Sequence, residues 1–295
     1  MIKRLLSSPQ PSFYRGLEPQ DILYSSSPEL RSLAFKSGYN LGVEIYRNSH
    51  GGMVPLERVL ESAGFGKLIY HAFESMSTFT SYSPRTDGID LGIAVHVFDS
   101  GVISGYLSAH TGREIDVTET SCAFNGSTHC MFVAAAESHK PEGPDSLDLQ
   151  RTLAALGHAL SHSKAERGGS SYYMLSIRPL LSEPVFSEAA KFLYLLGKLV
   201  AAQSRERPQH VIASAARLFR LRDAKITLSK RKGFEVSMSY DHETSSGRFV
   251  DLSAAFVSGL VKGAYGGDVQ VSRTAGSKGV YGVKIRSAAS GAAVK

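Results

Sequence analysis

The chain has 295 residues, of which 42% are hydrophobic and 20% charged. This is ordinary globular usage, so a disordered chain is excluded, and the length suits two domains that each bury a core. The most apolar stretch, Phe192 to Ala202, is broken by Lys198 and falls far short of the roughly 20 residues of a membrane span.

The basic start Met1-Ile2-Lys3-Arg4 is followed by only two leucines, not the apolar run of an export signal, so the expected location is cytoplasmic. Two cysteines, Cys122 and Cys130, cannot build a disulfide framework. The net charge of +6 is uneven: residues 1–140 hold 11 Lys/Arg against 14 Asp/Glu, and residues 141–295 hold 22 against 13. The densest basic stretch, Ser204 to Gly233, contains Arg217, Arg220, Arg222, Lys230, Arg231 and Lys232. These six are the candidate contacts for nucleic acid or another anion, set against a plain solvated basic face.

Residues 1–26 lack periodicity and predict a tail or a packed-on arm. Ser27-Pro28-Glu29 has the form of an N-cap, an N1 proline and an acidic first turn, so a helix should follow. Pro55 opens a second helix, closed by Gly64. Gly66 to Glu74 and Ser75 to Ser83 alternate as paired strands do. Ile93 to His110 predicts a helix with small residues at Gly101, Ser104, Gly105 and Ser108, which permit close packing. Glu114 to Ser121 and His129 to Ala134 predict two more strands, turning near Asn125-Gly126.

Lys140 to Asp145 is the clearest linker, followed by a helix from Ser146 to about Ala165 and a strand over Tyr172 to Ile177. The order then repeats. Phe192 to Leu199 echoes Lys36 to Val43, and a helix runs from Pro208 to Leu221. Strands Ala224 to Ser229 and Phe234 to Tyr240 follow. A helix from Asp251 to Ala264 carries Ser258-Gly259 and Gly263, as the earlier one carries Ser100-Gly101 and Gly105. Asp268 to Val271 matches Glu114 to Val117, and Val280 to Ile285 is the last strand. The expected fold class is α+β, as two repeats with helices packed on an antiparallel sheet. The expected domains are a tail (1–26), a first repeat (27–139), a linker and helix (140–170) and a basic second repeat (171–295).

One cluster carries chemistry. Glu119, Cys122 and Cys130 form Glu-x2-Cys-x7-Cys across a strand–turn–strand, which can gather two thiolates and a carboxylate at one point. Zinc takes four such ligands. The fourth is to be sought at His96, heading the small-residue helix, with His110 and His129 as rivals; two buried free cysteines are the plainer alternative. His158 and His162 are spaced i, i+4 on a helix, which suits a polar face better than a metal.

Residues 96–133 resemble the V4R domain, the 4-vinyl-reductase family of small-molecule-binding domains. The resemblance rests on His96, Gly105-Tyr106-Leu107-Ser108, Gly112-Arg113, Glu119, Cys122, Cys130 and Phe132. It implies a zinc site of His96, Glu119, Cys122 and Cys130. One departure is that aromatic-sensing members usually carry Cys where His96 stands. The second repeat lacks cysteine, so a V4R-like copy there would be metal-free.

The resemblance also implies a hydrophobic small-molecule pocket. Phe65, Tyr70, Phe73, Phe79, Tyr82 and Phe98 are its candidate lining, and equally an ordinary core. Four protein ligands leave zinc no open position, so the metal is expected to be structural and the protein a non-catalytic sensor or carrier. The alternatives are an adaptor or tether acting through protein contacts, nucleic-acid binding through the basic half, and an enzyme, for which no cofactor motif is present.

Overall fold

The computed structural model describes residues 17–49, 52–61, 65, 68–72, 76–81, 90–135, 148–162, 170–219, 223–229, 233–240, 247–275 and 281–287. It is an α+β structure that divides into two compact units. The first takes the chain to Ala155 together with Glu166–Pro179; the second takes Leu156–Ala165 and Leu180 onward.

In the first unit, α1 (Pro19–Tyr24) and α2 (Pro28–Arg47) lead into α3 (Val54–Leu60), then the hairpin β1 (Leu68–Ala72) and β2 (Met76–Ser81). Next come α4 (Val97–Thr111) and the hairpin β3 (Asp116–Ser121) and β4 (Cys130–Ala135). The four strands form one antiparallel sheet in the order β1-β2-β4-β3. Ser27 caps α2 through its side chain, which accepts from Leu30 N–H at 3.2 Å, and Pro28 stands at N1 as the sequence predicts.

Helix α4 is buried on all sides from Phe98 to Leu107, and its C-terminus turns at Gly112, whose φ of 68° is left-handed. Such burial is possible because α2 and α4 approach through glycine. A Cβ at Gly38 or Gly42 would collide with the α4 backbone, and one at Gly101 or Gly105 with the backbone at Phe35 or Tyr39. Phe79 and Phe132 lie opposite each other in the sheet and are both buried, forming the floor of the core.

After Leu149–His162 (α5), residues Ser170–Ile177 form helix α6, not the strand expected over Tyr172 to Ile177. Its buried positions are 172, 173, 176 and 177, which is helical spacing and not the alternation of a strand. The segment packs within the first unit: Tyr172 donates to the Asp99 carboxylate, Gln20 Nε2 donates to Ser176 Oγ at 3.1 Å, and Tyr24 donates to the Ser176 carbonyl. Residues 17–25 are buried and belong to the same core.

A 3-10 turn (Arg178–Leu181) crosses the boundary, and the second unit then contains α7 (Val185–Gln203), α8 (Pro208–Leu218), β5 (Asp223–Ser229), β6 (Gly233–Tyr240), α9 (Gly247–Tyr265), β7 (Val269–Ala275) and β8 (Tyr281–Ser287). Its sheet order, β5-β6-β8-β7, follows the same path as the first. Helices α7 and α9 also meet through glycine: Gly197 faces Phe256 and Leu260, Gly259 faces Tyr194 and Lys198, and Gly263 faces Lys198. These contacts set the correspondence between units. Gly38 matches Gly197, Gly101 matches Gly259 and Gly105 matches Gly263, which shifts the α2–α7 alignment by several residues from the echo seen in sequence.

The glycine contacts predict a large, local stability cost. Gly105→Ala would drive a methyl into the Tyr39 carbonyl and lower stability by about 2–3 kcal/mol. Gly157→Ala in α5, where an added Cβ meets nothing within 4 Å among the described residues, should be neutral or stabilising by about 0.5–1 kcal/mol. Paired thermal denaturation of the two variants checks this; equal effects would contradict it.

Candidate metal centre

Three pieces of backbone converge on one point. His96 is the N-cap residue of α4. Glu119 is on β3, just before a register shift between Glu119 and Ser121 that ends regular pairing with β4. Cys122 therefore leaves the strand and stands at the start of the turn, while Cys130 is the first residue of β4.

The turn is fixed by its own hydrogen bonds. Asn125 Oδ1 accepts from Cys122 N–H at 3.2 Å, and the Cys122 carbonyl accepts from Asn125 N–H at 2.9 Å and from Ser127 N–H at 3.3 Å. Gly126 supplies the left-handed residue the turn requires, at φ 87°.

Glu119 grips His96 twice. One carboxylate oxygen accepts the His96 backbone N–H at 2.9 Å, and the other lies 2.7 Å from Nδ1 of the ring. The sulfurs of Cys122 and Cys130 lie 3.6 and 3.7 Å from the same Nδ1. Each sulfur also accepts a backbone N–H: Phe124 to Cys122 at 3.4 Å and Ala123 to Cys130 at 3.3 Å. All four side chains are buried, and their donor atoms lie within 4.8 Å of one another. Phe65, Phe124 and Phe132 surround the imidazole, with ring centres 5.0, 5.5 and 6.4 Å from it.

This set fits a zinc-sized cation. Bonds of 2.0–2.3 Å in a tetrahedron put neighbouring ligand atoms about 3.3–3.8 Å apart. The two sulfur–nitrogen separations fall within that range, whereas the carboxylate–imidazole contact is of hydrogen-bond length and needs a small opening. Two sulfurs, one nitrogen and one oxygen form a borderline-soft donor set, unlike the all-oxygen cages of calcium or magnesium.

The electrostatics are those of a tightly paired cluster. Burial opposes charge on His96, but Glu119 and then Cys130 outweigh it and raise its pKa well above the ordinary value. Burial pushes the Glu119 carboxyl up, and the facing His96 more than reverses this, leaving it low. Burial, then the hydrogen bond shared with Cys130, pushes the Cys122 thiol well up. The hydrogen bond from Cys122 brings Cys130 down to about 6, against burial and aided by His96.

The other expected site residues sit elsewhere. His110 is exposed on the last turn of α4, beside the Tyr46 ring. His129 lies 3.0 Å from the Thr128 hydroxyl and is not among the four clustered ligands. Phe65 packs on His96 and Phe132; Tyr70 lies against Phe79 with ring centres 4.9 Å apart; Phe98 meets Tyr172 edge-on at 5.9 Å. Phe73 and Tyr82 lie outside the described residues, as do Arg220, Arg222, Lys230, Arg231 and Lys232. Arg217 is on α8, with its side chain outside the description, and the same holds for His158 and His162 on α5. Asn125, expected at the turn from the Asn-Gly dipeptide, shapes the site; Phe124, which walls it, was not anticipated.

The fold and site together define an α+β domain in which a buried His/Glu/Cys/Cys group that could hold a metal ion joins a helix start to a β-hairpin. Residues 83–136 match the V4R domain family, in one copy. No curated protein and no solved structure gives a significant match to the chain. Among the described residues, no helix is long and apolar enough to cross a membrane.

In metal-free protein, the Cys130 thiolate contributes stability that is complete above the unfolded thiol value of about 8.5 and is lost as pH falls through about 6. His96 has the opposite sign: its contribution is complete below roughly 6.5 and is lost as pH rises through its raised folded value. Ultraviolet thiolate absorbance of the metal-free protein should titrate one equivalent near pH 6, absent in Cys130→Ala. Two thiols titrating together in the ordinary range would contradict this charge pattern.

Proposed function

We propose that the first unit is a zinc-clamped V4R module that binds a hydrophobic small molecule as a sensor or carrier and performs no chemistry of its own. The observation that carries this reading is the four buried donor atoms within 4.8 Å of one another, inside the segment that matches the V4R domain family. Four protein ligands fill a tetrahedral zinc and leave no position for substrate, as in structural sites. The ion's work there is to tie the head of α4 to the turn after β3 and to the start of β4. The aromatic row from Tyr70 through Phe79, Phe132 and Phe65 adjoins the site and supports an apolar ligand beside it. Two free buried cysteines suit a reducing, cytoplasmic setting.

The matching sheet order and glycine-packed helix pairs support a tandem copy that lacks the metal set. An adaptor role draws its support from Leu195 and Leu199 on α7, which are 55% and 37% exposed. A partner captured by wild type and lost in Leu195→Asp would favour it.

Metal binding itself is testable by proton count. Near neutral pH, the directions of shift leave His96 and Cys122 protonated and Glu119 and Cys130 ionised. Zinc needs neutral imidazole and two thiolates, so it should displace about two protons. Calorimetry in buffers of different ionisation enthalpy measures this number. Cys122→Ser should weaken zinc binding by more than about 100-fold. Native mass spectrometry of protein purified without chelator should show one zinc per chain; metal-free protein that gains no stability from added zinc would overturn the reading.

A further inference from the structure

We infer that the second unit carries its own binding site, independent of the metal, for an uncharged amphipathic molecule bearing a carbonyl or hydroxyl group. The site is a groove of about 540 Å³ between α9 and β7, with Tyr194 of α7 at its side. That volume lies within the range of small-molecule pockets. Asp251, Ala254, Ala255, Ser258 and Lys262 line it and recur at i, i+3, i+4, i+7 and i+11, one face of α9 about 16 Å long. Val269 and Val271 of β7 form the opposite wall.

Three observations define the ligand. First, the Ser258 hydroxyl lines the groove, is buried to 4% exposure and has no hydrogen-bond partner among the described residues. A buried hydroxyl left unpaired costs about 1–3 kcal/mol, which a ligand carbonyl or hydroxyl would recover. Second, the rim is neutral in sum. Asp251 is held by Arg273 through two contacts, the Nε one at 3.0 Å, and Lys262 donates to the Gly267 carbonyl and lies 4.0 Å from Asp268. With each charge matched, the rim favours a ligand without net charge. Third, Val271 stands opposite buried Ile285, on the same face of the sheet, yet is 51% exposed. Covering it and the alanines stabilises an apolar body.

Comparison with the first unit explains why the groove is open. There Ser104 donates to the Ile115 carbonyl and Ser108 accepts from Ile115 N–H at 2.9 Å, seating α4 on the start of β3. The strand valine matched to Val271, Val117, is 2% exposed. By the glycine register, Lys262 and Gly266 occupy the places of Ser104 and Ser108 in the second unit.

The test uses Prodan, an uncharged naphthyl ketone whose emission reports hydrogen bonding to its carbonyl, on the full chain. The expected result is saturable binding that shifts the Val269 and Val271 methyl signals. Ser258→Ala should weaken it about 3- to 10-fold and move the emission to the blue, and Ser258→Thr should restore both. Ala255→Trp, which fills the groove from a partly exposed position, should weaken it at least 10-fold. Cys122→Ser should leave it unchanged, which separates this site from the zinc-linked reading of the first unit. Equal affinity for the naphthalene carboxylate, indifference to both groove variants, or loss in Cys122→Ser would each overturn the proposal.

Discussion

The contact on which the first unit depends is the backbone-to-backbone approach of α2 and α4. Gly38, Gly42, Gly101 and Gly105 put no Cβ where it would strike the facing backbone, so the two helices touch at main-chain distance. That contact lets α4 sink between α2 and the sheet with Phe98 to Leu107 buried all round. A helix held this deeply has its N-terminus at a fixed height over the strands. His96, as its cap residue, is thereby delivered to β3, where Glu119 receives both its backbone N–H and its ring. The gathering of these side chains is a consequence of helix packing here, and the positions of the candidate ligands follow from where the glycines fall.

The cluster also solves a burial problem. Four ionisable groups without water would be costly if they carried like charge. Instead, one cation and two anions interleave, and the fourth group, Cys122, stays neutral while hydrogen-bonding to the thiolate of Cys130. Replacing the two displaceable protons by a divalent cation leaves the total charge of the site unchanged. The cluster is thus suited in charge to the proposed ion, and the backbone N–H groups of Ala123 and Phe124 solvate its sulfurs.

Much of this was legible in the amino-acid order, for identifiable reasons. Ser27-Pro28 and Asn125-Gly126 act through local backbone chemistry, so helix start and turn were readable within a few residues. The metal set was readable because Glu-x2-Cys-x7-Cys needs only a hairpin to close, and His96 because it heads the next element. What failed depended on tertiary context. Tyr172 to Ile177 alternates only loosely, and it is the partners Asp99, Gln20 and Tyr24 that hold it as helix α6. The similar placement of the glycine contacts in the two units appears only where Gly197 meets the backbone of α9. Phe65, a candidate for pocket lining and equally for core, lies against the imidazole of His96 and the ring of Phe132, contacts that residue order alone does not show.

The two units show what one packing frame permits. The glycine crossing, the helix over the sheet and the strand order are the same in both, so positions can be compared through the crossing. At the place of His96 the second unit has Ala254, and at the place of Ser104 it has Lys262. Removing the imidazole and the short serine stitch removes the two features that pull α4 onto β3. Without them the seam between helix and strand has less to close it, in keeping with Val271 at 51% exposure in the groove that Ala254 also lines. A frame fixed by main-chain contact thus leaves its helix–strand seam free to vary between the two units.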